Sequence, residues 1–145
     1  MTFQLERAAI EYFLVTAWAG ATPVGLDGQE FNPIADSIRM TIVNGDTVQG
    51  SIGRQNNNRI ENVGLLQIQI FVERAKGSSA WRGYAETLQN LFFNLRLTDA
   101  GEIATTEEFI RFSPTDQHPY ISAIISDIPF TIATLNAPFI RYSYK

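Results

Sequence analysis

The sequence predicts a single α+β domain: a mixed or antiparallel sheet of about four to five strands, covered by helices on one face and carrying a long polar hairpin arm. Three observations lead there. Two segments with a helical period, near residues 3–18 and 79–95, are separated by two segments that alternate apolar and polar residues. Further strand-like segments follow the second helix. The 145 residues, 45% of them hydrophobic, can bury one core without metals or crosslinks.

In the first helical segment Leu5, Ala8, Ala9, Tyr12, Phe13 and Thr16 form one stripe, with Glu6, Arg7 and Glu11 mostly off it. A helix over Phe3 to Trp18 with that stripe toward the core is expected. Gly20, Pro23, Gly25 and Gly28 then interrupt regular structure, and Asn32-Pro33 favours extended or turn backbone, so residues 20–35 read as a loop. From Asp36 to Val43, Ile38, Met40 and Ile42 alternate with Ser37, Arg39 and Thr41, the pattern of a half-buried strand. Asn44-Gly45-Asp46 is turn chemistry and is expected to end it.

A second strand places Leu66, Ile68, Ile70 and Val72 on one face and Gln67, Gln69, Phe71 and Glu73 on the other. Between the two strands the run from Gly50 to Arg59, with three consecutive asparagines, has no helical period and little to bury. Residues 44–60 are therefore expected to form a hairpin arm or extended loop, either solvated or ordered on a partner. After Lys76-Gly77, Ser78 or Ser79 can cap a helix that carries Trp81, Tyr84, Ala85, Leu88, Leu91, Phe92 and Leu95 at spacings of three and four. Glu107 to Phe112 and Tyr120 to Ala133 read as strands, the latter broken at Pro129, which cannot donate to a ladder. Residues 136–145, with Pro138 and three aromatics, read as a C-terminal tail whose Phe139, Tyr142 and Tyr144 need a place to dock.

The composition excludes several functions. A net charge of −4, a pI near 4.9 and only two lysines argue against a nucleic-acid-binding domain, which concentrates basic residues to replace phosphate counterions. The absence of cysteine removes disulfides, thiolate nucleophiles and Cys-rich zinc sites. The longest apolar stretch, Ala8 to Ala19, is broken by Glu11 and Thr16, whereas a membrane span needs roughly 20 apolar residues. Glu6 and Arg7 cancel where a signal peptide would be basic, so synthesis in the cytoplasm is the default expectation.

The residue pattern offers no catalytic, cofactor-binding or metal-binding constellation. His118 is the only histidine and lies in a loop with no second imidazole to share a metal. Glu107 and Glu108 would point to opposite faces of a strand, which suits a solvated edge better than an acid/base pair. Gly45, Gly50 and Gly53 lack the Gly-Lys-Ser/Thr run of a phosphate loop, and Ser78 and Ser79 lack a nucleophile-elbow context.

Phe31-Asn32-Pro33, the strand Ser37 to Val43 with Asn44-Gly45-Asp46, Gly50-Ser51-Ile52-Gly53, the strand Glu61 to Val72 and Lys76-Gly77-Ser78 before the Trp81 helix together carry a resemblance. The sequence resembles a family of small tail-module proteins of long-tailed bacteriophages, similar in layout to the tail terminator and neck proteins. The likeness runs over roughly residues 3–134 and is densest over 31–95. It implies a structural virion protein, made in the host cytoplasm, that forms a ring, expected to be a hexamer. The ring would cap the tail tube, halt its polymerisation and meet the head connector or stopper protein. Genomic DNA would pass its lumen without specific binding, which an acidic ring suits. The implied partners are further copies of the chain, the tail tube protein and the connector, with no membrane, cofactor or metal. Sheet edges available for pairing between subunits fit this reading.

The residues expected at a subunit or tube interface are Arg54, Gln55, Asn56, Asn57, Asn58, Arg59, Lys76, Phe139, Tyr142 and Tyr144. A head-completion or connector protein of the neck is the neighbouring alternative. From a different class, a small α+β ligand-binding module or enzyme would need a pocket where polar groups converge, for which Arg39, Arg111 and Asp127 are the candidates.

Overall fold

A computed structural model describes residues 2–18, 21–49, 59–74, 77–106, 108–114 and 117–144. Two helices, α1 (Thr2–Trp18) and α2 (Ser79–Phe92), accompany seven strands: β1 (Val24–Gly25), β2 (Ser37–Gln49), β3 (Arg59–Glu73), β4 (Arg96–Leu97), β5 (Ile110–Phe112), β6 (Tyr120–Asp127) and β7 (Phe130–Tyr144). The sheet order is β1-β2-β3-β7-β5-β4, with β6 also paired to β7. All pairings are antiparallel except β1 with β2. Because β3 accompanies β7 along its whole length, the other side of β7 holds β6 against residues 130–136 and then β5 against 139–141.

The α+β class stands, but the sheet has seven strands rather than four to five. β1 and β4 are two residues each, too short for a period of two to register. The expected C-terminal tail is instead the second half of β7, a central strand paired to β3 as far as Tyr144. Pro138, which suggested a tail, is tolerated because its carbonyl accepts from the Ser113 amide, on the side away from β3. Its missing N–H therefore faces the seam where β6 ends and β5 begins, and no bond to β3 is lost. Asn44-Gly45-Asp46 does not end β2: the register shifts there, Asn44 opposing Gly64 and Thr47 opposing Asn62, so the turn residues are absorbed as a bulge. Pro129 lies in the tight connection between β6 and β7.

The even residues Leu66, Ile68, Ile70 and Val72 of β3 are buried together with Ile38 and Met40 of β2 and Ala133, Leu135, Ala137 and Phe139 of β7. Trp81, Ala85, Leu88 and Phe92 of α2 cover this face at the expected spacing. Ser78 stands before α2 but makes no capping hydrogen bond through its side chain. A row of rings binds the layers, with centroids 5.6 Å apart for Phe13 and Phe92, 5.0 Å for Phe92 and Phe112, and 5.4 Å for Phe112 and Phe139.

The stripe that α1 buries differs from the expected one. Glu6, Ala9, Ile10, Phe13, Leu14 and Trp18 face inward, while Leu5, Ala8, Tyr12 and Thr16 are exposed. Both stripes have helical spacing and both are largely apolar, so periodicity does not choose between them; a buried partner for Glu6 does. That partner is Arg141 of β7, whose Nε donates to Glu6 Oε1 at 3.1 Å, with both side chains 2% exposed.

The segment 21–36 is pinned at several points. β1 runs parallel to β2, the Asp27 carboxylate accepts from the Ile42 amide at 3.0 Å, and Phe31 packs on Phe71 across the outer face of the sheet. At the end of α1 the Trp18 indole N–H donates to the buried Thr22 hydroxyl at 2.8 Å. Thr22→Val keeps the shape but orphans that donor, and is expected to lower stability by about 1–2 kcal/mol in urea denaturation.

Candidate functional site

The described surface concentrates apolar residues on β6. All eight of its residues are exposed. Register with β7 places Ile121 beside Leu135 and Ile124 beside Ala133 on the helix side, and Tyr120 beside Asn136 and Ile125 beside Ile132 on the outer side. Ile124 and Ile125 are 52% and 51% exposed, and Ile128, where the hairpin turns toward β7, is 75% exposed. A strand of a stable monomer normally buries one face. β6 buries neither, and its only charged residue is Asp127.

The position of β6 is set from both ends. Gln89 of α2 donates to the Pro119 carbonyl at 2.9 Å just before the strand, and the Arg74 amide donates to the Pro129 carbonyl just after it. Its helix-side face borders a groove lined by Trp81, Arg82, Ala85, Glu86, Gln89, Ile121 and Leu135. The Arg82 guanidinium lies over the Trp81 ring, 4.5 Å from its centre.

Two further apolar areas accompany β6. The outward face of α1 shows Leu5, Tyr12 and Val15, and beside it Tyr12, Phe13, Ala17, Gly101 and Ile103 line a recess of about 390 Å³. On the outer side of the sheet, Val43, Val48 and Val63 are exposed along the β2–β3 hairpin. Exposed apolar residues on three separate elements suit a chain that completes its burial against partners.

Among the expected interface residues, Arg54, Gln55, Asn56, Asn57, Asn58 and Lys76 lie outside the described residues. Arg59 begins β3, pairs with Glu61 at 3.0 Å and places its guanidinium 5.3 Å from the centre of the half-buried Tyr142 ring. Those three therefore form one cluster at the end of the sheet. Phe139 is instead fully buried against Phe112, a consequence of β7 being central. Tyr144 closes the ladder opposite Arg59. Nothing in the β6 sequence marked it for exposure, because Ile-Ser-Ala-Ile-Ile-Ser lacks clean alternation and reads equally well as buried.

The residues weighed for chemistry do not converge. Arg39, Arg111 and Asp127 sit on β2, β5 and β6. Register carries Arg39 to Thr134 through Gln69 and Arg111 to Ile140, so the two arginines are roughly 20 Å or more apart. His118 stacks on Phe93 with centroids 4.2 Å apart. Glu108 pairs with Arg96 at 3.2 Å, and Glu107 is outside the described residues. Among the described residues no three His, Cys, Asp or Glu side chains cluster as metal ligands, and no helix is long and apolar enough to cross a membrane.

Comparison with known proteins supplies the family. A model described as phage tail terminator protein matches residues 4–130. No curated protein matches. Ten chains of solved structures do; one superposes with a TM-score of 0.70 over 100% of this chain and 99% of its own, at 19% identity, a likeness of fold.

Proposed function

From the premise that the chain belongs to the phage tail terminator family, we propose that it is the subunit of a ring, a hexamer, that caps the finished tail tube, stops its polymerisation and joins the tail to the head connector. The role is structural, in the phage tail, and involves no reaction. The observation that carries the ring is β6, a strand exposed on both faces at the margin of the sheet. A subunit of 16.2 kDa with that surface gains by association, and a closed ring is how identical subunits satisfy a head-to-tail contact without leaving ends. The net charge of −4 is consistent with a lumen through which DNA passes without binding.

The test is a phage carrying a nonsense codon in this gene. Without a terminator, tubes should run past their normal length and fail to join heads, and the wild-type chain supplied in trans should restore both. Tails of correct length that lack heads would move the protein to the connector position. Normal, head-joined tails in its absence would end both readings and return the small binding module to first place.

A further inference from the structure

We infer that neighbouring copies join through their sheet margins, β6 of one copy adding to the outer edge of β2, beyond Ile42, of the next. The ring then carries sheets that continue across its subunits. This deepens the ring reading above and rests on it.

Among the described residues both margins lack a pairing strand. On the side of β6 away from β7 no described strand pairs, so a row of backbone N–H and C=O groups is left to water or to another chain. At the other end of the sheet β1 covers β2 only at Ile38 and Arg39, and Asp27 takes the Ile42 amide. From Val43 onward no described residue pairs with the outer edge of β2.

Exposed edges in monomeric proteins are blunted with lysine, proline or inward charges. β6 has none of these within Tyr120–Asp127; its one irregularity is the bulge between Ile121 and Ala123. Its side chains carry the same message. From their fractional exposures, Tyr120, Ile121, Ile124, Ile125 and Ile128 leave roughly 400 Å² of side chain in water, about half of the ~800 Å² that each partner of a stable interface buries. The β2 margin answers on the matching face: Val43 opposes Leu65, Val48 opposes Glu61 and Val63 opposes Ile140, which puts these valines on the outer side with Tyr120 and Ile125. Strand addition would satisfy the edge backbone and bring these side chains together in one step.

The occupant is a second copy offering its other edge. Two β6 strands pairing with each other would close one margin and leave β2 open on both subunits, whereas head-to-tail addition closes both margins and propagates around a ring.

Amide exchange tests this directly, comparing the free subunit with the same chain in purified tails. The outward amides of 43–49 and of Tyr120–Asp127 should exchange at least tenfold more slowly in tails. Protection of β6 alone would overturn the pairing, as would protection of neither; if the chain is missing from tails altogether, the terminator reading fails and this inference with it.

Complementary variants supply a second readout. Ile124→Lys with Ile125→Lys disables β6, and Val43→Lys with Val48→Lys disables β2, all at exposed positions where circular dichroism should show an unchanged fold. Each variant alone should fail to cap tails. Mixed, they retain one intact β6 and one intact β2, and should form a heterodimer that grows no further. Capping by the β2 variant alone, or no dimer in the mixture while the folds are intact, would refute the proposal.

Discussion

Arg141→Met is expected to destabilise the subunit by about 3–5 kcal/mol, the cost of stranding one charge of a buried ion pair. Glu6 and Arg141 are both buried, and the pair joins the start of α1 to the last strand across 135 residues of sequence. Both carboxylate oxygens are used, Oε1 by Arg141 and Oε2 by the Asn44 side-chain amide at 2.9 Å. The guanidinium also lies 4.9 Å from the centre of the Phe3 ring in the first turn of the helix. Removing the arginine leaves the carboxylate with the Asn44 amide as its one remaining side-chain partner among the described residues.

The pair is not thereby a large net source of stability, since desolvating both charges offsets much of their attraction. Glu6→Leu combined with Arg141→Met should therefore recover most of the loss, giving a coupling of a few kcal/mol in a double-mutant cycle. Urea denaturation of the four proteins measures it. A single-variant loss under 1 kcal/mol would show that the pair is solvated in solution. The exposed Arg7–Glu11 pair, 3.2 Å apart on the same helix, is the internal control and should be worth about 0.3–0.5 kcal/mol.

Phe139→Ala should have a comparable effect, about 3–5 kcal/mol, by opening a cavity where α2, β5 and β7 meet. Phe139 touches Phe112, which touches Phe92, so the vacated space sits in the row of rings that holds the helices to the sheet. Its ring lies over Gly64 on the adjacent strand. A β-carbon built at Gly64 would sit within 2.7 Å of two ring atoms, so Gly64→Ala forces the phenylalanine to move and should cost about 1–3 kcal/mol. If steric conflict is the cause, the two changes are coupled. Gly64→Ala should then cost much less in a Phe139→Leu background, as thermal denaturation of the four proteins can establish. Equal cost in both backgrounds would point instead to the backbone at Gly64.

Much of the fold could be read locally. The alternation in β3 and the three-four spacing in α2 identified both elements and their buried faces, because in each case one face is apolar and the other is not. The same rule misled in α1, where two stripes are apolar and the buried one includes Glu6. It also missed the last strand, since Pro138 argues for a break unless one knows that its carbonyl side faces the seam between two neighbouring strands. Arg59 and Tyr142 were each named from the sequence as expected interface residues, but their contact with one another arises only because β3 and β7 pair in a register that sets Glu61 opposite Tyr142. β6 was legible as a strand but not as a surface.

The sequence by itself determined the class of the domain, the cores of β2, β3 and α2, the absence of a recognisable catalytic motif and the resemblance to phage tail proteins, all of which depend on residue type and short-range spacing. The tertiary structure decided which stripe of α1 turns inward, that the C-terminal segment is a central strand, and that β6 stands at the margin with both faces bare. Those outcomes depend on partners far away in the chain, Arg141 for Glu6 and β3 for β7, and a period of two or 3.6 residues carries no information about what a face will meet.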